Sequence, residues 1–166
     1  NAVKELQGVT SLPLQLDSSD PVALEASMRI YNGKPLINSV NGKEESMSSI
    51  FPLLKKYGGA LIALTIDENG IPTTAEGRCE IARKIVDRAL EYGIDKKDII
   101  VDPLCLTVSS DGTAPRVTLD SIRLIKERLG VKTSLGVSNV SFGLPKRDFV
   151  TSTFFSLALQ NGLDAV

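Results

Sequence analysis

Five short apolar runs in this chain each stop abruptly at a small polar or acidic residue, and a helix-like segment follows each one. They read LPLQLDSSD (12–20), PLINSVN (35–41), ALIALTID (60–67), DIIVDPL (98–104) and TSLGVSN (133–139). Uninterrupted Leu, Ile and Val are the pattern of strands buried on both faces, as parallel sheets require. A sixth run opens at LDAV (163–166). Strict alternation of strand and helix predicts a parallel sheet with helices outside it. Six β/α steps in 166 residues come close to the spacing of a (β/α)8 TIM barrel, whose closure needs roughly 250 residues. The expected fold is α/β: an incomplete barrel segment of about six β/α units. An open doubly wound sheet is the alternative. The chain starts at Asn1 and stops inside NGLDAV. It is therefore expected to form a single domain over residues 1–166, truncated at both ends.

The helices carry their own punctuation. Asp20 is an N-cap with Pro21 at the first helical position, and Gly33 fits a stop. Met47, Ile50, Leu53 and Leu54 form an apolar stripe, and Pro52 inside it predicts a kink or a fresh start. Thr74 caps a long helix whose buried face is Ile81, Ile85, Ala89 and Leu90, ended by Gly93. Val117, Ile122, Ile125 and Leu129 mark the next helix, stopped by Gly130, and another spans roughly 147–161.

Composition narrows the function classes. Net charge is −1, so there is no electrostatic footprint for nucleic acid or for an anionic membrane. No apolar run approaches the ~20 residues of a membrane helix, and NAVKELQGVTS lacks the parts of a secretory signal. A cytoplasmic protein is expected. Histidine is absent, which removes Ser–His and Cys–His catalysis and the commonest metal ligand. No spacing suits a metal. Cys79 and Cys105 read as core or near-surface thiols, with no disulfide framework and no redox or metal role.

The strand ends are where α/β barrels and sheets place their chemistry. Asp17, Asn38, Asp102 and Asn139 are the principal candidates, with Thr65 and Asp67 weaker. Asp17 is not needed as a helix cap, because Asp20 fills that role. Asn38 and Asn139 also suit turns. Asp102 follows IIV and precedes Pro103, where an acid is costly to bury without a partner; a buried ion pair is the alternative. Asp67 opens DENG, a turn sequence. Two carboxylates and two carboxamides, with no His and no convergent Lys, make a hydrogen-bonding frame. A carboxylate accepts two parallel N–H bonds and a carboxamide offers one donor and one acceptor. A fused heterocycle with an amino-pyrimidinone edge matches that set. A glycosidase pair fits poorly without Trp and with 5% aromatics.

LQLDSSDPVALEA, INSVNGKEE, GALIALTIDENGIP, IIVDPL and LGVSNVSFGLPKR together resemble the pterin-binding methyltransferase family, in order and over nearly the whole chain. That family includes the folate-binding domain of cobalamin-dependent methionine synthase, whose version of the loop SNVSFGLPKR resembles most closely. It also includes methyltransferases that serve corrinoid iron–sulfur proteins. The resemblance implies a barrel of the dihydropteroate synthase-like type with the pterin at its C-terminal mouth. It implies that Asp17, Asn38 and Asp102 hold the pterin ring and that Asn139 is catalytic, lying against the methyl-bearing N5. Methyltetrahydrofolate is then the substrate, and cobalamin or another corrinoid is held by another domain or partner protein. The family's GERIN-like and DVN-like segments are not found here. Dihydropteroate synthase is the related alternative, but Asn139 and Val140 stand where it resembles Lys and Arg. A non-catalytic folate-binding fragment is the other alternative.

Overall fold

A computed structural model describes residues 2–166. Five strands form one parallel sheet in chain order: β1 (Gln15–Asp17), β2 (Leu36–Asn41), β3 (Ala60–Leu64), β4 (Ile99–Asp102) and β5 (Lys132–Thr133). Six helices accompany them: α1 (Ala2–Val9), α2 (Pro21–Ile30), α3 (Glu44–Tyr57), α4 (Ala75–Glu91), α5 (Ala114–Leu129) and α6 (Arg147–Gln160). Sequential neighbours, all parallel, are the arc of an α/β barrel and exclude the strand-order reversal of a doubly wound sheet. The fold covers about six β/α units.

Alternation along the strands separates two environments. Leu16, Ile37, Val40, Leu61, Ala63, Ile99 and Val101 are buried under the helices. Gln15, Leu36, Asn38, Ile62, Ile100 and Asp102 face the concave interior, where they line a cavity of about 320 Å³. The helices meet the sheet through stripes such as Met47, Ile50, Phe51 and Leu54 of α3 and Ile81, Ala82, Ile85 and Ala89 of α4. Phe51 and Tyr92 add an edge-to-face contact at 5.4 Å.

Most helix punctuation is as the sequence predicts. Asp20 accepts from Val22 N at 2.9 Å with Pro21 opening α2, and Thr74 accepts from Gly77 N at 3.1 Å. Gly130 is left-handed at φ 66°. Five details differ. Helix α1, which the sequence reading passed over, precedes the first strand. Helix α2 ends at an extended Tyr31 rather than at Gly33. Helix α3 runs through Pro52 without a fresh start, because Pro52 and Ser48, whose carbonyl loses its donor, are both exposed to water. Leu90 is exposed. The 133–139 run yields only a two-residue strand, since the sixth run pairs with it at a single parallel bridge, Ser134–Ala165. Without a longer ladder the chain turns into a 3-10 helix over Val137–Ser141.

Among the described residues no helix is long and apolar enough to cross a membrane, and no cluster of His, Cys, Asp and Glu suits a metal. Cys79 and Cys105 are both buried free thiols.

Candidate active site

The C-terminal ends of the strands carry the polar side chains. Strand β1 buries Leu16 and leaves Asp17, its last residue, on the open face. Asp17 is in register with Asn38, and Asn38 Nδ2 donates to Asp17 Oδ2 at 3.0 Å. Asn38 is therefore not at a strand end. It is the third of six residues in β2, and the ladder to β3 slips between Asn38 and Val40. Such an extra residue re-aims a strand next to a site. Here it carries the backbone onward to Asn41 while the Asn38 carboxamide stays beside Asp17.

Asp102 closes β4. Leu104 N donates to its Oδ1 at 2.8 Å, and no other hydrogen bond reaches the carboxylate among the described residues. Burial pushes its carboxyl up to about 6, against the pull of the Leu104 N–H and the nearby Arg78 cation. Among the described residues no salt bridge includes Asp102, and Arg78 reaches it through its field rather than a bonded pair. Asn38 and Asp102 share the 320 Å³ cavity with Ile62, Ile100 and Gly136. Asp17 and Asn38 also border a second hollow of about 410 Å³ with Ser18, Ser39 and Ser46.

Asn139 stands apart. It lies in the 3-10 helix after β5, exposed, and lines neither hollow. The strand-end position read from the sequence is corrected here, because β5 ends six residues earlier. Asn139 still leans over the cavity wall: a Cβ on Gly136 would meet its Nδ2 at 3.2 Å. Arg147 braces this turn, donating from Nη2 to Ser138 O at 2.9 Å and from Nε to Ser141 Oγ at 3.2 Å.

Thr65 donates its backbone N–H to Asp102 O at 3.1 Å. Its hydroxyl is the one fully buried side-chain polar atom without a partner among the described residues. Asp67 serves the DENG turn, accepting from Asn69 N at 2.8 Å. A larger hollow of about 540 Å³ lies at the opposite rim, lined by the C-terminal ends of α3 and α4 with Lys34 and Asp98. Lys34 and Asp98 are paired with each other, and barrel chemistry belongs to the other end. Sequence reasoning missed Arg78, Gly136 and Arg147. A signal existed for Arg78: it occupies an apolar-stripe position with Ala75, Ala82, Ile85 and Ala89.

A parallel barrel arc with two carboxylates and a carboxamide at its C-terminal mouth is the framework of an α/β-barrel protein. The chain belongs to the pterin binding enzyme family, whose model matches residues 1–166. It is 36% identical to a methionine synthase of Mycobacterium leprae over 96% of this chain and 14% of that protein. It is 30% identical to a methylcorrinoid:tetrahydrofolate methyltransferase of Eubacterium limosum over 96% of this chain and 60% of that one. The chain thus spans a seventh of the methionine synthase and three-fifths of the methyltransferase. Among solved structures it superposes on the dihydropteroate synthase of Yersinia pestis with a TM-score of 0.74. That match has 14% identity and covers 98% of this chain and 68% of the other. A dihydropteroate synthase of Xanthomonas albilineans in complex with 7,8-dihydropteroate matches with a TM-score of 0.70 at 18% identity, over 98% and 63%. These likenesses define the barrel fold of the dihydropteroate synthase type.

Proposed function

We propose that this chain is the folate-binding part of a methyltransferase that moves the N5 methyl group of methyltetrahydrofolate to the reduced cobalt of a cobalamin or other corrinoid. The methionine synthase setting is favoured by the higher identity to that relative. The observation that carries the reading is Asp102, a half-buried carboxylate facing the cavity with one oxygen held by Leu104 N–H and, among the described residues, no cation bonded to it. Burial disfavours its charge, and an amino-pyrimidinone edge supplies the two N–H donors that would restore it. The Asp17–Asn38 pair, in the same mouth, presents further acceptors to the ring. The corrinoid is the methyl acceptor, brought by another domain or a partner protein.

In the transfer, the methyl group would leave N5 for the two-electron nucleophile that the corrinoid acceptor supplies; the N5–C electron pair stays on N5, which takes a proton from water at the open mouth. A tertiary amine leaves readily only when N5 is protonated or gains positive charge. Asn139, above Gly136 at the cavity wall, turns its amide oxygen to that developing N–H, which is stabilisation where charge appears. Its exposed position means that it must swing inward when the ligand binds. Asp17, Asn38 and Asp102 supply binding and orientation.

The synthase alternative has fold likeness alone behind it. The test is binding of methyltetrahydrofolate to the full-length protein, followed by methyl transfer to free reduced cobalamin. Saturable binding with transfer supports the proposal. Binding without transfer to any corrinoid leaves a folate-binding module, and no binding sinks both.

A further inference from the structure

Arg78 is the one charged side chain that is fully buried among the described residues, 1% exposed. None of the ion pairs found there includes it. A guanidinium in such a place is costly unless oxygen dipoles replace water around it. They do. Nε donates to Pro72 O at 3.0 Å, and Nη1 donates to Pro103 O at 3.0 Å, Leu104 O at 2.8 Å and Thr118 Oγ1 at 3.1 Å. The single proton of the Thr118 hydroxyl has two acceptors in reach, Ala114 O at 3.0 Å and Leu104 O at 3.1 Å.

Two of these four acceptors, Pro103 O and Leu104 O, belong to the loop that follows Asp102; Pro72 O lies before α4 and Thr118 on α5. Leu104 sits in the left-handed region at φ 65°, a conformation unfavourable for a residue with a Cβ. Its carbonyl is held by Arg78 within reach of the Thr118 hydroxyl, and its N–H is spent on Asp102 Oδ1. The turn is thus clamped at both ends. An apolar side chain of similar length would fill the space on α4 without the desolvation cost, so packing alone does not account for an arginine here.

We propose that Arg78 is a positioning residue for Asp102: its guanidinium locks the left-handed turn at Leu104, which holds one carboxylate oxygen and leaves the other free for the ligand in the cavity. This rests on the pterin-binding reading above. Arg78 from α4 and Cys105 from the following loop are the charged and titratable groups whose fields reach Asp102. The facing groups of β3 and α5, Thr65 and Thr118, do not titrate. The Arg78 cation stabilises the ionised carboxylate, so losing it raises the pH at which Asp102 takes a proton.

The experiment uses the full-length protein with two readouts: hydrogen exchange of the peptide spanning Asp102–Cys105 without ligand, and methyltetrahydrofolate affinity against pH. Arg78→Met is expected to speed exchange in that peptide and to move the low-pH inflection of affinity upward from about 6. At neutral pH, affinity should fall about tenfold, the scale of one charge-assisted hydrogen bond. Arg78→Lys keeps the charge but not the planar fork. It should leave the inflection in place while exchange still quickens. Should Arg78→Met fail to fold, Thr118→Val, which removes the hydroxyl that accepts from Arg78 Nη1 and lies within reach of Leu104 O, is expected to quicken exchange more mildly. Unchanged exchange in every folded variant overturns the proposal, as does an unchanged inflection in Arg78→Met. If the wild type binds no pterin while exchange still responds to Arg78, the turn lock stands and the pterin reading falls.

Discussion

The two ends of this one sheet treat their acids in opposite ways. At the N-terminal rim, Asp164, the second residue of the sixth run, is fully engaged. Lys126 Nζ lies 2.8 Å from its Oδ2, Lys132 Nζ 3.2 Å from its Oδ1, and Thr133 N donates at 2.8 Å. Burial would push its carboxyl up, but these bonds outweigh it and hold the group down to about 2. At the same rim Lys34 pairs with Asp98, and Asp95 caps the turn before β4 while pairing with Lys97. At the C-terminal mouth, Asp102 receives one main-chain N–H and, among the described residues, no bonded cation, and its carboxyl is pushed up to about 6. Asp17 touches only a carboxamide. Thr65 keeps a buried hydroxyl without a partner. The rim is electrostatically finished and the mouth is not. The arrangement follows the division of barrels into a stability face and a chemistry face. Under the proposed function, unmet hydrogen-bonding capacity, rather than the size of a hollow, marks the working end.

That contrast can be broken at several points. The largest effect is expected from Asn139→Ala. If the amide acts as N5 becomes positive, single-turnover methyl transfer should slow on the order of a hundredfold, with ground-state affinity nearly unchanged. Equal losses of affinity and rate at subsaturating folate, with none at saturation, would make Asn139 a uniform binding residue. Next is Asp102→Asn, which keeps the Oδ1 acceptor for Leu104 but loses the charge. Methyltetrahydrofolate affinity should weaken by about 1.5–3 kcal/mol, measurable by titration calorimetry.

The rim should answer in stability instead. Asp164→Asn should cost about 1 kcal/mol after allowance for solvent screening, seen as a lower denaturation midpoint with folate affinity intact. A still smaller effect concerns pH. The folded-state carboxyl of Asp102 titrates at about 6, above the ~3.9 of an unfolded chain. Its ionisation therefore destabilises the fold, increasingly as pH rises from about 4 through 6. Asp164 has the opposite sign: its folded value near 2 contributes stability above about 4 that is lost as pH falls toward 2. Thermal unfolding against pH should show the wild type gaining stability from pH 7 down to about 5, and Asp102→Asn should lack that gain. A wild type that loses stability monotonically below pH 7 would mean that Asp102 is not destabilised by its charge.

Much of this was legible in the sequence, and the parts that were not have physical reasons. Uninterrupted apolar runs and clean caps announced β1 to β4 and the helices between them, because burial on both faces leaves a strong periodic signal. Asp17 and Asp102 were legible because each ends an apolar run. Asn38 does not sit at the strand end that LINSVN suggests: the β2 strand runs on to Asn41 past a slip in the β2–β3 register that the sequence does not show. Asn139 was misplaced because the length of β5 depends on how much of the sixth run pairs beside it, a non-local quantity. Arg78 was passed over because the stripe of α4 was read only through its apolar members. Its partners, Pro72, Pro103, Leu104 and Thr118, come from segments up to forty residues away. The pairing of Asp164 with Lys126 and Lys132 is likewise tertiary.

The most direct test of the division between mouth and rim sets two variants side by side in the full-length protein: Asp102→Asn and Asp164→Asn, each measured for methyltetrahydrofolate affinity and for Tm at pH 7. The division predicts crossed outcomes. Asp102→Asn should lose affinity while its Tm holds or rises, and Asp164→Asn should lose Tm while its affinity holds. If Asp102→Asn binds folate as the wild type does, or if its Tm falls as far as that of Asp164→Asn, the mouth is not the working end of this sheet.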